Sequence, residues 1–115
     1  MKPTFDITKT TNGKFMFNLK AANQEIILTS RVYDSKRNAE DGIASVTQNA
    51  ALDKRYERKI GADRQAYFVL RAANTLVIGR SEMYASREAM EKGIASVKRN
   101  APNAETVDVS SQVMA

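Results

Sequence analysis

The side chains able to do chemistry in this chain are few in kind, and they recur in pairs 51 positions apart: Ser30 and Ser81, Tyr33 and Tyr84, Ser35 and Ser86, Ser45 and Ser96, Asn49 and Asn100. A duplicated hydroxyl is the first suspect for a duplicated nucleophile. Hydroxyls, however, attack only when a base lies beside them or their pKa is depressed. The chain has no histidine, which removes a Ser-His-Asp arrangement, an imidazole base and imidazole metal ligation. It has no cysteine, which removes thiolate catalysis and cysteine-ligated zinc or iron–sulfur sites. Nor is there a Walker-type or dinucleotide-type glycine loop. Carboxylate or lysine chemistry is left, and Asp6 with Glu57 is the only acidic pair at matching positions of the first strands. Charge on an outer strand also guards a sheet edge, and that is the reading preferred for these two. No catalytic residue, cofactor or metal is expected, and an enzyme is the least favoured class.

The pairs point to a repeat. Phe17–Ala50 and Phe68–Ala101 align without a gap, and 17 of the 34 positions are identical. The stretch "GIASVTQNA" at 42–50 returns as "GIASVKRNA" at 93–101. Self-similarity on this scale means one supersecondary unit written twice. One unit of about half of 115 residues buries too little surface to be comfortably stable alone. The two are therefore expected to complete one core, related by a pseudo-twofold axis as in a fused homodimer. We read residues 1–51 as repeat one, 52–103 as repeat two and 104–115 as a short tail, within a single domain.

Each unit begins with strands. In "FMFNLK", Phe15, Phe17 and Leu19 alternate with Met16, Asn18 and Lys20, and a β-rich run follows the break at "AANQ". Asn23 and Asn74 are placed where the hairpin turns, asparagine tolerating the left-handed backbone. Asn12–Gly13 predicts a tight turn from a preceding strand, and "YERKIGADRQ" supplies a looser counterpart. The period then becomes helical: Ala39, Ile43, Val46 and Ala50 form one stripe and Met90, Ile94, Val97 and Ala101 its twin. Ser35 and Ser86 stand as N-caps, Asn49 and Asn100 as left-handed C-terminal residues. Gly42 and Gly93, costly inside a helix, predict that a backbone passes close by. The fold class is α+β: two tandem βββα repeats, an antiparallel sheet and two helices on one face. After Ala101 a short β-prone stretch at Thr106–Val109 precedes a frayed end.

The pattern F-x-L-K-A-A-N-x-E, I-x-x-S-x-x-Y-x-S-K and G-I-x-S-V-x-x-N-A, running through Phe17–Ala50 and again through Phe68–Ala101, resembles the YegP-like bacterial family of small proteins of unknown function. The resemblance covers nearly the whole chain and implies a ββα-type or βββα repeat in tandem. It implies no activity and no catalytic residues. The second copy departs from it at "NTLVIG", where Thr75 and Leu76 replace the usual turn glycine and acidic residue.

What remains is a binding surface. With 18 basic and 13 acidic residues the chain carries +5. The segment "DKRYERKIGADR" concentrates Lys54, Arg55, Arg58, Lys59 and Arg64, but Asp53, Glu57 and Asp63 interleave with them, as in a solvated connector. If the hairpin loops hold an even number of residues, Phe17, Leu19 and Leu28 face the helices. Met16, Asn18, Lys20, Ile27, Thr29 and Arg31 then face away, with Tyr67, Val69, Arg71, Ile78, Arg80 and Glu82 in the second copy. Lys20, Ile27, Arg31, Tyr67, Val69, Arg71, Ile78 and Arg80 form the candidate face. It suits protein partners or self-association, or alternatively low-specificity RNA or single-stranded DNA through stacking and phosphate attraction. Exposed positions diverge between the copies, Arg31 against Glu82 and Thr29 against Arg80, so a ligand site is not expected twice over. No window has the apolar length of a signal peptide or a membrane span, and a cytoplasmic, monomeric or weakly dimeric protein is the expectation.

Overall fold

The structure is a computed structural model and describes residues 2–110. Strands β1 (Thr4–Lys9), β2 (Phe15–Lys20) and β3 (Ile26–Thr29) precede helix α1 (Lys36–Asn49); β4 (Tyr56–Ile60), β5 (Ala66–Arg71) and β6 (Val77–Arg80) precede α2 (Arg87–Asn100). A last strand, β7 (Glu105–Asp108), follows. All seven strands form one sheet in the order β4-β5-β6-β3-β2-β1-β7. The expected tandem βββα arrangement holds, and the repeats meet at β3 and β6. The sheet is antiparallel except at one end, where β7 pairs parallel with β1. The β-prone tail thus joins the sheet, while the frayed end expected beyond it lies outside the described residues from 111 onward.

The helices form where the sequence period changes. Ser35 Oγ accepts the Asn38 N–H at 3.0 Å, and Ser86 Oγ accepts the Ala89 N–H at 3.0 Å. Both satisfy amides that a first turn leaves unpaired. Each helix buries its stripe across both repeats, α1 packing on β2 and β6, α2 on β5 and β3. Phe5, Phe17, Leu19 and Leu28 meet Phe68, Leu70, Met90, Ile94 and Val97 in a single core. Neither repeat owns its core alone.

Between the strands of the two repeats, β3 and β6 pair at one position, Thr29 with Arg80, which are equivalent and so lie on the pseudo-twofold axis. Their neighbours Leu28 and Gly79 are equivalent too. A Cβ on Gly79 would sit 2.6 Å from Leu28 side-chain carbons, so the space next to the axis holds one leucine and no second side chain. Here the repeats must differ for packing reasons.

Three local expectations are corrected. Asn49 and Asn100 do not take the left-handed conformation; the residues after them, Ala50 and Ala101, stay right-handed at φ −60° and −57°. Both asparagines instead turn Nδ2 back to a carbonyl four residues earlier, Ser45 and Ser96, at 2.8 Å each. Gly42 and Gly93 make room for a side chain rather than a backbone: a Cβ would lie 2.3 Å from the hydroxyl of Tyr33 or Tyr84. And the hairpin turns are three residues long. Gly13 alone, at φ +79°, is left-handed in the first; Gln24 and Thr75, not Asn23 and Asn74, hold that conformation in the β2–β3 and β5–β6 turns. Asn23 and Asn74 work one residue earlier, each Oδ1 accepting the N–H two positions on, at 3.0 and 3.1 Å.

Thr75 is a β-branched residue at φ +72°, a conformation that costs such side chains about 1 kcal/mol or more. Thr75→Gly is therefore expected to raise stability by about 1 kcal/mol, read as a higher midpoint in urea unfolding; an unchanged or lower midpoint would show the turn is not strained.

Candidate functional site

The turns decide what the sheet presents. With three residues in the loop, Lys20 pairs Ile26, but a bulge then shifts the register so that Leu19 pairs Leu28. Ile27 is the extra residue. The same shift between Leu70 and Arg71 makes Ile78 the extra residue of β6. Ile27 and Ile78 are both 6% exposed and join the core under the helices, so they do not belong to the outer face. The even-loop parity fails at these two positions because a bulge puts two neighbouring side chains on one side.

The outer face keeps Lys20, Tyr67, Val69, Arg71 and Arg80, in a different state from the one expected. One row runs across it, Glu57, Val69, Arg80, Thr29, Asn18, Asp6 and Val107, by successive strand pairing. Lys20 Nζ lies 3.0 Å from Asp6 Oδ2. Arg71 donates through Nε and a terminal nitrogen to Glu57 Oε1 at 2.9 and 2.6 Å, and again to the Thr75 carbonyl at 2.7 Å. Those bonds hold the Glu57 carboxyl below its ordinary range. The Arg80 guanidinium stacks over the Tyr67 ring at 4.8 Å. Val69 lies beneath these side chains, 6% exposed. The acids Asp6 and Glu57 are thus partners of face cations. Asp6 is not on an outermost strand, since β7 covers β1.

Arg31 leaves that face altogether. It lies past the end of β3, and its guanidinium stands 5.4 Å over the Tyr33 ring, on the wall of a groove of about 560 Å³. The groove runs between the first half of α1 and the β5–β6 turn of the other repeat. Asn38, Asp41, Gly42 and Ser45 line one side and Ala72, Asn74, Leu76 and Val77 the other. Tyr33 forms its end: the ring stacks on Phe17 at 6.1 Å and 11°, with its hydroxyl over Gly42. Burial pushes that hydroxyl up, with Arg31 opposing. Val32, Leu76 and Val77 are 48%, 55% and 36% exposed along its rim. Lys14 pairs Asp34 at 3.1 Å beside it, whereas Asp41 makes no ion pair among the described residues.

The recurring serine hydroxyls are occupied. Ser30 Oγ accepts the Phe17 N–H at 2.9 Å and donates to the Arg31 carbonyl at 2.6 Å; Ser81 does the same with Phe68 and Glu82. Ser35 and Ser86 cap helices, Ser45 and Ser96 receive Asn49 and Asn100, and the Tyr33 hydroxyl is shifted away from, not toward, ionisation. Among the described residues no group of three or more acidic, histidine or cysteine side chains gathers as a metal site. No helix among the described residues is long and apolar enough to cross a membrane.

Beside α2 lies a smaller depression of about 260 Å³, lined by Ala21, Ala22, Asn23, Ser96, Arg99 and Asn100, and only Ala21, Asn23 and Ser96 among these are counterparts of groove residues. Several groove positions have diverged between the copies: Asn38 against Ala89, Asp41 against Lys92, Leu76 against Glu25. Sequence reasoning missed the groove because its walls come from different repeats. Its one visible trace was Leu76, an apolar residue where the repeat pattern has an acid.

A family profile described as a domain of unknown function, DUF1508, matches residues 11–57 and again 62–108. A UPF0339 protein of Bordetella pertussis is 54% identical over 102 residues, 89% of this chain and 92% of that protein. The UPF0339 protein YegP of Escherichia coli K12 is 50% identical over 96 residues, covering 84% and 87%. Two solution NMR structures superpose on the fold: yegP from E. coli, a protein of unknown function, at TM-score 0.90 and 45% identity over 96% of both chains, and a UPF0339 protein of Shewanella oneidensis at 0.89 and 39%, over 96% of this chain and 93% of that one.

Proposed function

We propose that this chain, which belongs to the DUF1508 family, is a non-enzymatic protein-interaction module that takes an extended segment of a partner into the groove between α1 and the β5–β6 turn. The observation that carries this reading is the clustering of exposed Val32, Leu76 and Val77 around an open groove with the polar side chains Asn38, Asp41 and Ser45 on its α1 side. Apolar side chains gathered at a concave surface mark binding sites far more often than scattered ones do. The unpaired Asp41 carboxylate favours a partner segment with a basic residue beside its apolar anchor. Because one wall comes from each repeat, we take residues 1–51 and 52–103 as one functional domain, with the tail from 104 closing the sheet, acting in the cytoplasm. The competing reading, RNA or single-stranded DNA on the outer face, is less well supported. A phosphate there must displace Asp6 from Lys20 and Glu57 from Arg71.

Selection from a displayed peptide library tests the reading. The selected peptides are expected to share an apolar residue next to lysine or arginine, and Leu76→Asp to weaken them at least about tenfold, while Arg80→Glu leaves them unchanged. Failure to select any peptide, or binding indifferent to Leu76→Asp, would overturn it.

A further inference from the structure

The two ends of the sheet differ. At one end β7 covers β1, the Glu105 N–H donating to the Pro3 carbonyl and the Val109 N–H to the Ile7 carbonyl. At the other end no strand lies beyond β4 among the described residues. The Gly61 N–H bonds the Gln65 carbonyl. Counting back by two, Lys59 and Glu57 bond toward β5, and Arg58 and Ile60 turn their backbone groups outward, as does the Tyr56 carbonyl, while the Tyr56 N–H is held by the Asp53 carbonyl.

We propose that this edge pairs with β4 of a second copy of the chain, antiparallel and centred on Arg58. That register lets Arg58 exchange both hydrogen bonds with its counterpart and lets the Ile60 N–H of each copy donate to the Tyr56 carbonyl of the other. It also sets Glu57 opposite Lys59 of the other copy, twice by symmetry. Charged side chains on a short edge normally block pairing. Here the two charges on the outer face, Glu57 and Lys59, are opposite in sign, so in this register the edge matches itself. The two Arg58 side chains meet at the axis already neutralised, each donating to Glu91 at 2.5 and 3.1 Å and to Asp53 at 3.0 Å, with Lys98 on Asp53 at 2.9 Å. Ile60, at 58% exposed the most exposed large apolar side chain among the described residues, would be covered. This surface is separate from the groove, and its failure leaves the groove reading standing.

Sedimentation velocity of the full chain across concentration provides the test, with Glu57→Lys and Lys59→Glu alone and mixed. The wild type is expected to form a reversible dimer. Either substitution puts like charges opposite each other and is expected to weaken the dimer about tenfold. An equimolar mixture of the two variants restores opposite charges at both contacts and is expected to regain dimer. Slower exchange of the Arg58 amide at high concentration locates the contact. Should Glu57→Lys fail to fold for want of its Arg71 pairing, Lys59→Glu and the Arg58 amide carry the test. A wild type monomeric up to millimolar concentration, a dimer indifferent to Lys59→Glu, or growth beyond dimer through the acidic β7 edge would each overturn the proposal.

Discussion

Leu28→Gly is expected to destabilise the protein by about 4 kcal/mol, Gly79→Leu by about 3 kcal/mol or more, and the two together by far less than either. Leu28 is fully buried, and deleting a buried leucine side chain removes its transfer energy and leaves a cavity, about 2–5 kcal/mol, with a further cost for glycine in a strand. Gly79→Leu fails for the opposite reason, because Leu28 already fills the space a second leucine would need, 2.6 Å from where its Cβ would be. Since the positions are equivalent about the pseudo-twofold axis, exchanging them moves one leucine from one side of the axis to the other. Urea unfolding of the two single variants and the exchange measures the coupling directly. Additive losses would show that the two sites do not share one space.

The second large effect runs against helix propensity. Glycine to alanine at an exposed helix position normally gains about 1 kcal/mol. At Gly93 the new methyl group would lie 2.3 Å from the Tyr84 hydroxyl and 2.6 Å from the ring carbon that bears it. The ring is not free to withdraw, since it stacks on Phe68 at 6.4 Å and 11°. We expect Gly93→Ala to cost about 2 kcal/mol net, and Gly42→Ala, facing Tyr33 in the same way, to cost about as much. In a Tyr84→Ala background the same Gly93→Ala change is expected to become neutral or stabilising. If it destabilises there as well, the tyrosine is not what demands the glycine.

These two sites show where the sequence was legible and where it was not. The stripe Ala39, Ile43, Val46 and the caps at Ser35 and Ser86 depend on neighbours within a few positions, so the helices and their starts could be read directly. The demand for a small residue at Gly42 and Gly93 was also legible, but not its cause, because Tyr33 and Tyr84 reach the helix only once the chain has folded back. The outer face was misread at Ile27 and Ile78 for a related reason. A bulge adds one residue without any mark in the alternation, and it carries both isoleucines into the core. Lys20, Arg71 and Arg80 lie on the outer face, yet their charges are engaged by Asp6, Glu57 and the Tyr67 ring, pairings that need the strand order. The groove needs still more, a helix of one repeat and a turn of the other, and neither wall carries a local signature beyond Leu76.

The most direct test is an amide NMR map of labelled protein titrated in parallel with a selected apolar-basic peptide and with short single-stranded RNA and DNA at near-physiological salt. Peptide-induced shifts are expected at Val32, Tyr33, Asn38, Asp41 and Leu76, with no oligonucleotide-induced shifts at Lys20, Tyr67, Arg71 and Arg80. Salt-sensitive shifts at those four residues, with the groove silent to every peptide, would contradict the groove reading.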